Sequence, residues 1–365
     1  MAVSKKLKKI FFSIFEKPEL MAANAISVIQ ERNRLKRYVK GAKKLTREQK
    51  AEIRRFWKPY KRISCKWAQY YSAFNGTFDP KYIPNDLYYT KIDQHFNNRK
   101  LGYGFNDKNY YSKIFAGIKQ PEVVVRKING FLFDANYNQL SSEEAVKTIA
   151  ARDEVICKPS QETGSGRGIE FFKSVETDKI NTFVNNPEYD NYIVQGLIKQ
   201  HDRLDAIHKG SVNCIRVCSI LLSDGVHILS SVLRMGFGSS KVDNATAVDN
   251  AKYDGMSCGI DENGKLKKYA HGYNKGEAFD KHPDGVVFLG FEIPSYDKAV
   301  ELVKNAHQII GNFRLVSWDI AIDEHGEPIL IEANMRKGGI NFHQFNNGPL
   351  FGDLTERVLN EVFGR

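Results

Sequence analysis

The sequence predicts an α+β chain whose strands mostly pair as hairpins, and three observations carry this. Short apolar runs are separated by turn-forming clusters: Asn129-Gly130, Ser223-Asp224-Gly225 and the "DEHGEP" stretch ending at Pro328. Helix starts with capping residues lie between them, Thr46 with Gln49 and Ser141 or Ser142. The 365 residues, 42% of them hydrophobic and 12% aromatic, suffice for two or three domains with real cores.

Taken in order, residues 20–44 read as a helix with a strongly basic end, and "REQKAEIRRFWKPY" as a second that stops near Pro59. Residues 65–105 are rich in Tyr, Phe and Asn with no clean period, and Asn106 to Pro121 reads as a short helix. "EVVVRKINGFLFD" is a hairpin turning at Asn129-Gly130, and "SSEEAVKTIAARD" a capped helix. "EVICKPS" and "GIEFF" are strands flanking a glycine loop, followed by strands "NYIVQGLI", "SVNCIRVCSILL" and "GVHILSSVLRMG". Residues 237–265 are rich in Asn, Asp and Gly and show no order. "SYDKAVELVKNAHQII" is a helix that leads into a last hairpin, "RLVSWDIAI" to "PILIEAN".

The net charge of +11 is concentrated: residues 1–66 carry 20 Lys/Arg against 5 Asp/Glu. The start, "KKLKKIFFSIF", has too short an apolar run for a signal peptide, which needs about 7–15 such residues and a cleavage site. No run approaches the roughly 20 apolar residues of a spanning helix. Residues 1–44 therefore suggest either an interfacial helix on an anionic membrane or a basic extension that is solvated or docks on the protein itself. Nucleic acid is not expected, because no recognition motif accompanies the charge. Five scattered cysteines without a CxxC pair read as reduced thiols of a cytoplasmic protein.

The chemistry concentrates at the last hairpin. Glu332 and Asn334 share one face of their strand. Pairing Ile322 with Ile329 puts Asp319 opposite Glu332, with Cβ atoms about 5 Å apart. Two carboxylates so close repel unless a cation lies between them, and Asp, Glu and an Asn carbonyl suit Mg²⁺ beside a phosphate. A strand end emerging into water would equally explain polar residues there. Lys158 ends its strand before Gly164, Gly166 and Gly168, so backbone N–H groups could close on phosphate oxygens. That loop lacks the Gly-Lys-Ser/Thr of a Walker A motif, Ile169 replaces a Rossmann third glycine, and a structural turn is the plainer alternative. Arg216 and Arg234 lie in apolar strands, and a buried Arg needs an anion, whether a substrate or a structural carboxylate.

Lys158-Pro159 with its loop, "IVQGLI", the Arg216 strand and Asp319…Glu332-x-Asn334 stand in the order seen in ATP-grasp enzymes, which the chain resembles over about residues 45–350. "YIPNDLYY", "SVNCIRV", "LRMG", "KHPDG" and "GFEIP" further resemble the sugar-transfer-associated ATP-grasp family of bacterial polysaccharide clusters. The resemblance implies an ATP-grasp fold with a basic helical extension (1–62), an N-terminal core part (63–120), a central subdomain (121–198) and a C-terminal subdomain with the metal site (199–365). It implies that Lys108, Lys158, Thr163, Gly164, Ser165, Gly166 and Gly168 hold ATP phosphates. Gln195, where the family usually has Glu, and Leu197 would meet the adenine, and Asp202, or alternatively Asp205, the ribose. Arg216 and Arg234 would hold the transferred phosphate and a carboxylate substrate, and Asp319, Glu332 and Asn334 one or two Mg²⁺. Asp243-Asn244 matches the family's "DN" element, whose usual following "GG" is not intact here.

The implied activity is a carboxylate–amine ligase working through an acyl phosphate on a sugar or amino-acid carboxylate, in the cytoplasm or at the inner membrane face. Alternatives are a kinase acting on a hydroxyl and an inactive scaffold tethered through residues 1–66.

Overall fold

The computed structural model describes residues 17–40, 42–161, 168–243, 255–272, 277–336 and 338–365. The chain falls into two compact units, Met1–Phe96 with Asn347–Arg365, and Asn97–Asn346.

The first unit is helical. Helices α1 (Lys17–Tyr38), α2 (Arg47–Trp57) and α3 (Lys66–Asn75) are followed by short turns of helix, and the helix Thr355–Phe363 closes the chain. The expected helix over 20–44 thus starts earlier and ends at Tyr38. Thr46 and Gln49 form the anticipated capping box, each side chain bonded to the other's backbone N–H. The aromatic stretch after residue 65 has no long period because it builds a core from short pieces. Trp67, Tyr70, Tyr71 and Tyr82 are all buried, with Tyr71 and Tyr82 stacked at 5.1 Å between centroids. Among the described residues no helix is long and apolar enough to cross a membrane.

The second unit holds two antiparallel sheets. The first contains β1 (Val123–Ile128), β2 (Phe131–Phe133), β3 (Gln139–Leu140), β4 (Glu154–Pro159), β5 (Glu170–Lys173) and β6 (Tyr192–Gly196), ordered β3-β2-β1-β6-β4-β5. The β1–β2 turn places Asn129 at φ 50° and Gly130 at φ 83°, the left-handed pair that a two-residue hairpin needs. Two helices pack with this sheet, α4 (Ser142–Ala150), capped by Ser141 and Glu144, and α5 (Thr177–Asn185).

The second sheet contains β7 (Cys214–Leu222), β8 (Gly225–Met235), β9 (Met256–Ile260), β10 (Leu266–Gly272), β11 (Ala278–Phe279), β12 (Leu315–Ile322) and β13 (Pro328–Asn334), ordered β11-β10-β9-β8-β7-β12-β13. Strand β9 lies inside the stretch expected to lack order; all five of its residues are buried. The expected helix after Asn106 is reduced to a 3₁₀ turn, Lys108–Tyr110, and one α turn, Tyr111–Ile114.

Strand alternation gives this sheet two unlike faces. Ile215, Val217, Leu233, Trp318, Ile320 and Ala333 belong to the main apolar core, which helix α6 (Tyr296–Ile309) helps to build. The other face carries Arg216, Arg234, Asp319, Glu332 and Asn334. Helix α7 (Asn341–Asn347) bonds to this polar face: His343 Nδ1 lies 2.9 Å from Ser230 Oγ, and Asn346 Nδ2 donates to Ser257 Oγ at 2.9 Å.

The last hairpin corrects one expectation and keeps another. Asp319 does oppose Glu332, but Ile322 pairs with Pro328 and Ala321 with Ile329. A bulge between Asp319 and Ile320 absorbs the one-residue difference and leaves Ile331 unopposed.

The apolar face fixes the sheet on which the charges sit. Trp318 is fully buried, its ring 5.9 Å from Phe115 and its Nε1–H bonded to Ser219 Oγ at 2.8 Å. Trp318→Ala is expected to cost about 3–5 kcal/mol in urea unfolding; a loss below about 1 kcal/mol would show that this core is not what holds the sheet.

Candidate functional site

One register row carries the chemistry. Arg216 on β7 pairs with Asp319 on β12, which pairs with Glu332 on β13, so the three side chains share a face. Arg216 grips Asp319 through both carboxylate oxygens, and Arg234 Nη1 stands 3.5 Å from Asp319 Oδ2. Asn334 Nδ2 lies 3.5 Å from the same oxygen. Glu332 Oε1 accepts from Lys108 Nζ at 2.6 Å. Protein cations therefore flank the two carboxylates, the arginines at Asp319 and Lys108 at Glu332.

Lys108 reaches the row because its 3₁₀ turn is pinned at its start by two bonds. The Asp107 carboxylate caps Asn109 N at 3.0 Å, and Lys108 N donates to Ser160 O at 2.8 Å, just beyond β4. That bond brings Lys108 next to the strand that carries Lys158.

The electrostatics follow from burial against charge. Desolvation raises the Asp319 carboxyl, but Arg216 and Arg234 outweigh it and hold it below the usual carboxylate range. Glu332 is likewise raised by burial and lowered further by Lys108, ending below its ordinary value. Burial, reinforced by the charge of Lys108, pushes the Lys158 ammonium down to about 8. Asp243, partly exposed and 3.5 Å from Arg234, is raised because desolvation exceeds the pull of the arginines.

These residues line a cleft of about 980 Å³. Lys108, Lys158, Gln195, Leu197, Asp202 and Arg216 are on its wall, with Asp205, Asp319, Glu332 and Asn334. Gln195 Oε1 is buried and accepts no hydrogen bond among the described residues, so an unused acceptor sits on the cleft wall. Arg234 is buried behind the row. The unopposed Ile331 also faces the cleft. Thr163, Gly164, Ser165, Gly166 and Asn244 lie outside the described residues. Gly168 has φ 77°, and a Cβ there would approach Pro159 Cγ to 2.9 Å, so glycine closes this turn against β4.

Sequence reasoning missed Lys199, Lys209, Lys241 and Arg336 on the same wall. Only Arg336 carried a signal, being two residues past Asn334. The Lys108–Glu332 bond, which joins residues 224 positions apart, had none.

The donor set fits a hard divalent cation: two carboxylates and an amide on one face, with oxygen lone pairs left over after the ion pairs form. The cleft pairs that oxygen cluster with seven lysines and arginines on its wall and a buried acceptor, a composition suited to a polyanionic nucleotide. The fold and site define an ATP-grasp protein. Residues 88–360 match the model of the sugar-transfer associated ATP-grasp family, and the chain belongs to that family. It matches no curated protein. Among solved structures it is similar to an L-amino acid ligase from Bacillus licheniformis, at 15% identity and TM-score 0.39 over 70% of this chain and 47% of that one. It is also similar to VanG D-Ala:D-Ser ligase from Enterococcus faecalis, at 15% identity and TM-score 0.42 over 71% of this chain and 61% of that one. A third is the ATP-grasp ligase PsnB complexed with minimal precursor, Mg and ADP, at 12% identity and TM-score 0.42 over 73% of this chain and 62% of that one. The chain thus spans less than two thirds of each, and the likeness is one of fold.

Removing one partner of a buried ion pair strands the other. Asp319→Leu is expected to lose about 3–5 kcal/mol in urea unfolding, and Arg216→Met with Asp319→Leu to recover most of it. A double variant as unstable as the sum of its singles would show that the two charges do not act as a pair.

Proposed function

We propose that the protein is an ATP-dependent carboxylate–amine ligase acting on the carboxylate of a sugar or glycan. The observation carrying this is the Arg216–Asp319–Glu332 row in a cleft with Lys108 and Lys158, backed by the buried Arg234. The cleft offers fixed charge, and the chemistry requires no side-chain nucleophile. That suits phosphoryl transfer, in which positioning and charge stabilisation supply most of the catalysis.

In the proposed reaction a substrate carboxylate oxygen attacks the γ-phosphorus of ATP, and the bond to the β–γ bridging oxygen breaks to release ADP. The resulting acyl phosphate is attacked at carbon by an amine; phosphate leaves, the nitrogen loses a proton, and an amide remains. Lys108 and Lys158 take the phosphates. Gln195 Oε1 accepts from the adenine amine beside Leu197, and Asp202 holds the ribose. Arg216 and Arg234 orient the acid and the phosphoryl group in transfer. Asp319, Glu332 and Asn334 would hold one or two Mg²⁺, which would supply charge neutralisation for the nucleotide phosphates. The family description supports a sugar-linked substrate.

Two measurements test this. In an ADP-release screen of paired carboxylates and amines, turnover is expected only when both are present. Glu332→Gln should cut it by about 10²–10³ or more while keeping a cooperative melt. ADP release with a hydroxyl acceptor and no amine would identify a kinase instead, and no nucleotide-dependent stabilisation at all would favour a scaffold.

The second uses pH. Free Lys158 loses its proton as pH rises through about 8, whereas bound phosphates favour the charged form. ATP binding should therefore take up a proton above pH 8 and weaken by up to about tenfold per pH unit, by linkage. Calorimetry should find this slope removed in Lys158→Met; an equal slope in both would remove Lys158 from the phosphate site.

A further inference from the structure

We infer a second metal site, distinct from the Asp319–Glu332–Asn334 group, in which His208, His282 and Asp284 hold a borderline divalent cation of the Zn²⁺ class. The "KHPDG" stretch supplies two of the ligands, and nothing in the proposed reaction uses it. His282 Nδ1 and Asp284 Oδ2 lie 3.5 Å apart, held by a turn in which Gly285 N donates to His282 O at 2.8 Å and Gly285 adopts φ 107°. His208 comes from elsewhere in the chain, and its Nδ1 stands 3.0 Å from the same Asp284 oxygen. One ligand atom from each of the three residues falls within 4.8 Å of the other two. Tetrahedral zinc with nitrogen and oxygen ligands separates its donors by about 3.3–3.5 Å.

Hydrogen bonding fixes both tautomers. His208 Nε2 faces Ser240 O at 3.2 Å and His282 Nε2 faces Gly236 O at 2.9 Å. A carbonyl oxygen only accepts, so both Nε2 atoms carry the proton and a neutral ring presents a bare Nδ1. This backbone-anchored arrangement is the usual support for metal-ligating histidines. It leaves an inconsistency: His208 Nδ1 and Asp284 Oδ2 are two acceptors at hydrogen-bond distance, and a cation or a proton must join them. His282 Nδ1 also accepts Asp284 N–H at 3.1 Å, a neutral bond that a divalent ion at the same lone pair would displace. Both rings are buried, and Asp284, about half exposed, leaves a way in.

The surroundings say what the ion would do. His208 directly precedes Lys209, Gly210 and Ser211 of the cleft wall, and Ser240 precedes Lys241 to Asp243. The packing is tight: a Cβ at Gly236 would meet Ser211 Oγ at 2.5 Å and Val242 O at 3.0 Å. The ion would tie both wall segments to the 282–285 turn, and so hold Asp243 beside Arg234.

The test uses the full chain, stripped with a chelator and dialysed against Zn²⁺ with elemental analysis. One zinc per chain is expected, with a raised melting temperature in the wild type. Affinity should fall at least about tenfold in Asp284→Asn and in His208→Gln, each still folding cooperatively. Asp319→Asn with Glu332→Gln should retain the zinc, which separates this site from the nucleotide-linked one. Co²⁺ in place of zinc should give visible absorption that Asp284→Asn abolishes. Equal zinc retention in wild type and Asp284→Asn would overturn the site. So would a metal-independent melting temperature that changes with pH through the histidine range, which would put a proton in the gap.

Discussion

Everything at the cleft depends on one constraint: charges buried on a β-sheet must be neutralised along the sheet. Arg216, Asp319 and Glu332 occupy one register row on three neighbouring strands, with Lys108 closing the row at its far end. Each charge has an opposite one beside it, which makes their burial tolerable. The same alternation puts Trp318, Ile320 and Val217 on the opposite face, in the core. One antiparallel sheet thus provides both the anchor and the site, and the bulge at Ile331 lets the two demands coexist.

Balanced charge also makes the row exchangeable. A carboxylate held by lysine or arginine stays ionised and aimed, because the paired cation keeps its pKa low. The phosphates of a nucleotide would compete for those cations, and a divalent ion for the carboxylates. The site then needs no large rearrangement of its dipoles as the ligands enter, which is the condition for electrostatic preorganisation. Lys158 is the least settled of these charges, since burial and Lys108 both act against it.

Features that rest on neighbours in the sequence were legible in it. The capping box at Thr46, a cap at Ser141, one of the two serines expected, and the Asn129-Gly130 turn are local chemistry and formed as read. The Asp319–Glu332 pairing also followed from the hairpin, though the proposed Ile322–Ile329 anchor was displaced by a bulge that no local pattern announces. What depended on tertiary packing was not legible. Strand β9 sits in a polar, glycine-rich stretch and is made a strand by burial between β8 and β10. The helices after residue 65 take their order from stacked aromatics rather than from a period. Lys108 could be nominated only by resemblance, and its bond to Glu332 needed the fold. The convergence of His208 with His282 and Asp284 left no trace at all in spacing.

The central claim is that Asp319, Glu332 and Asn334 form a divalent-ion site that completes itself only with nucleotide. Mn²⁺ binding followed by electron paramagnetic resonance, with and without a non-hydrolysable ATP analogue, tests it most directly. Nucleotide-dependent Mn²⁺ binding is expected in the native chain and should be lost in Asp319→Asn, Glu332→Gln and Asn334→Ala alike. Undiminished nucleotide-dependent binding in these three variants would contradict the account.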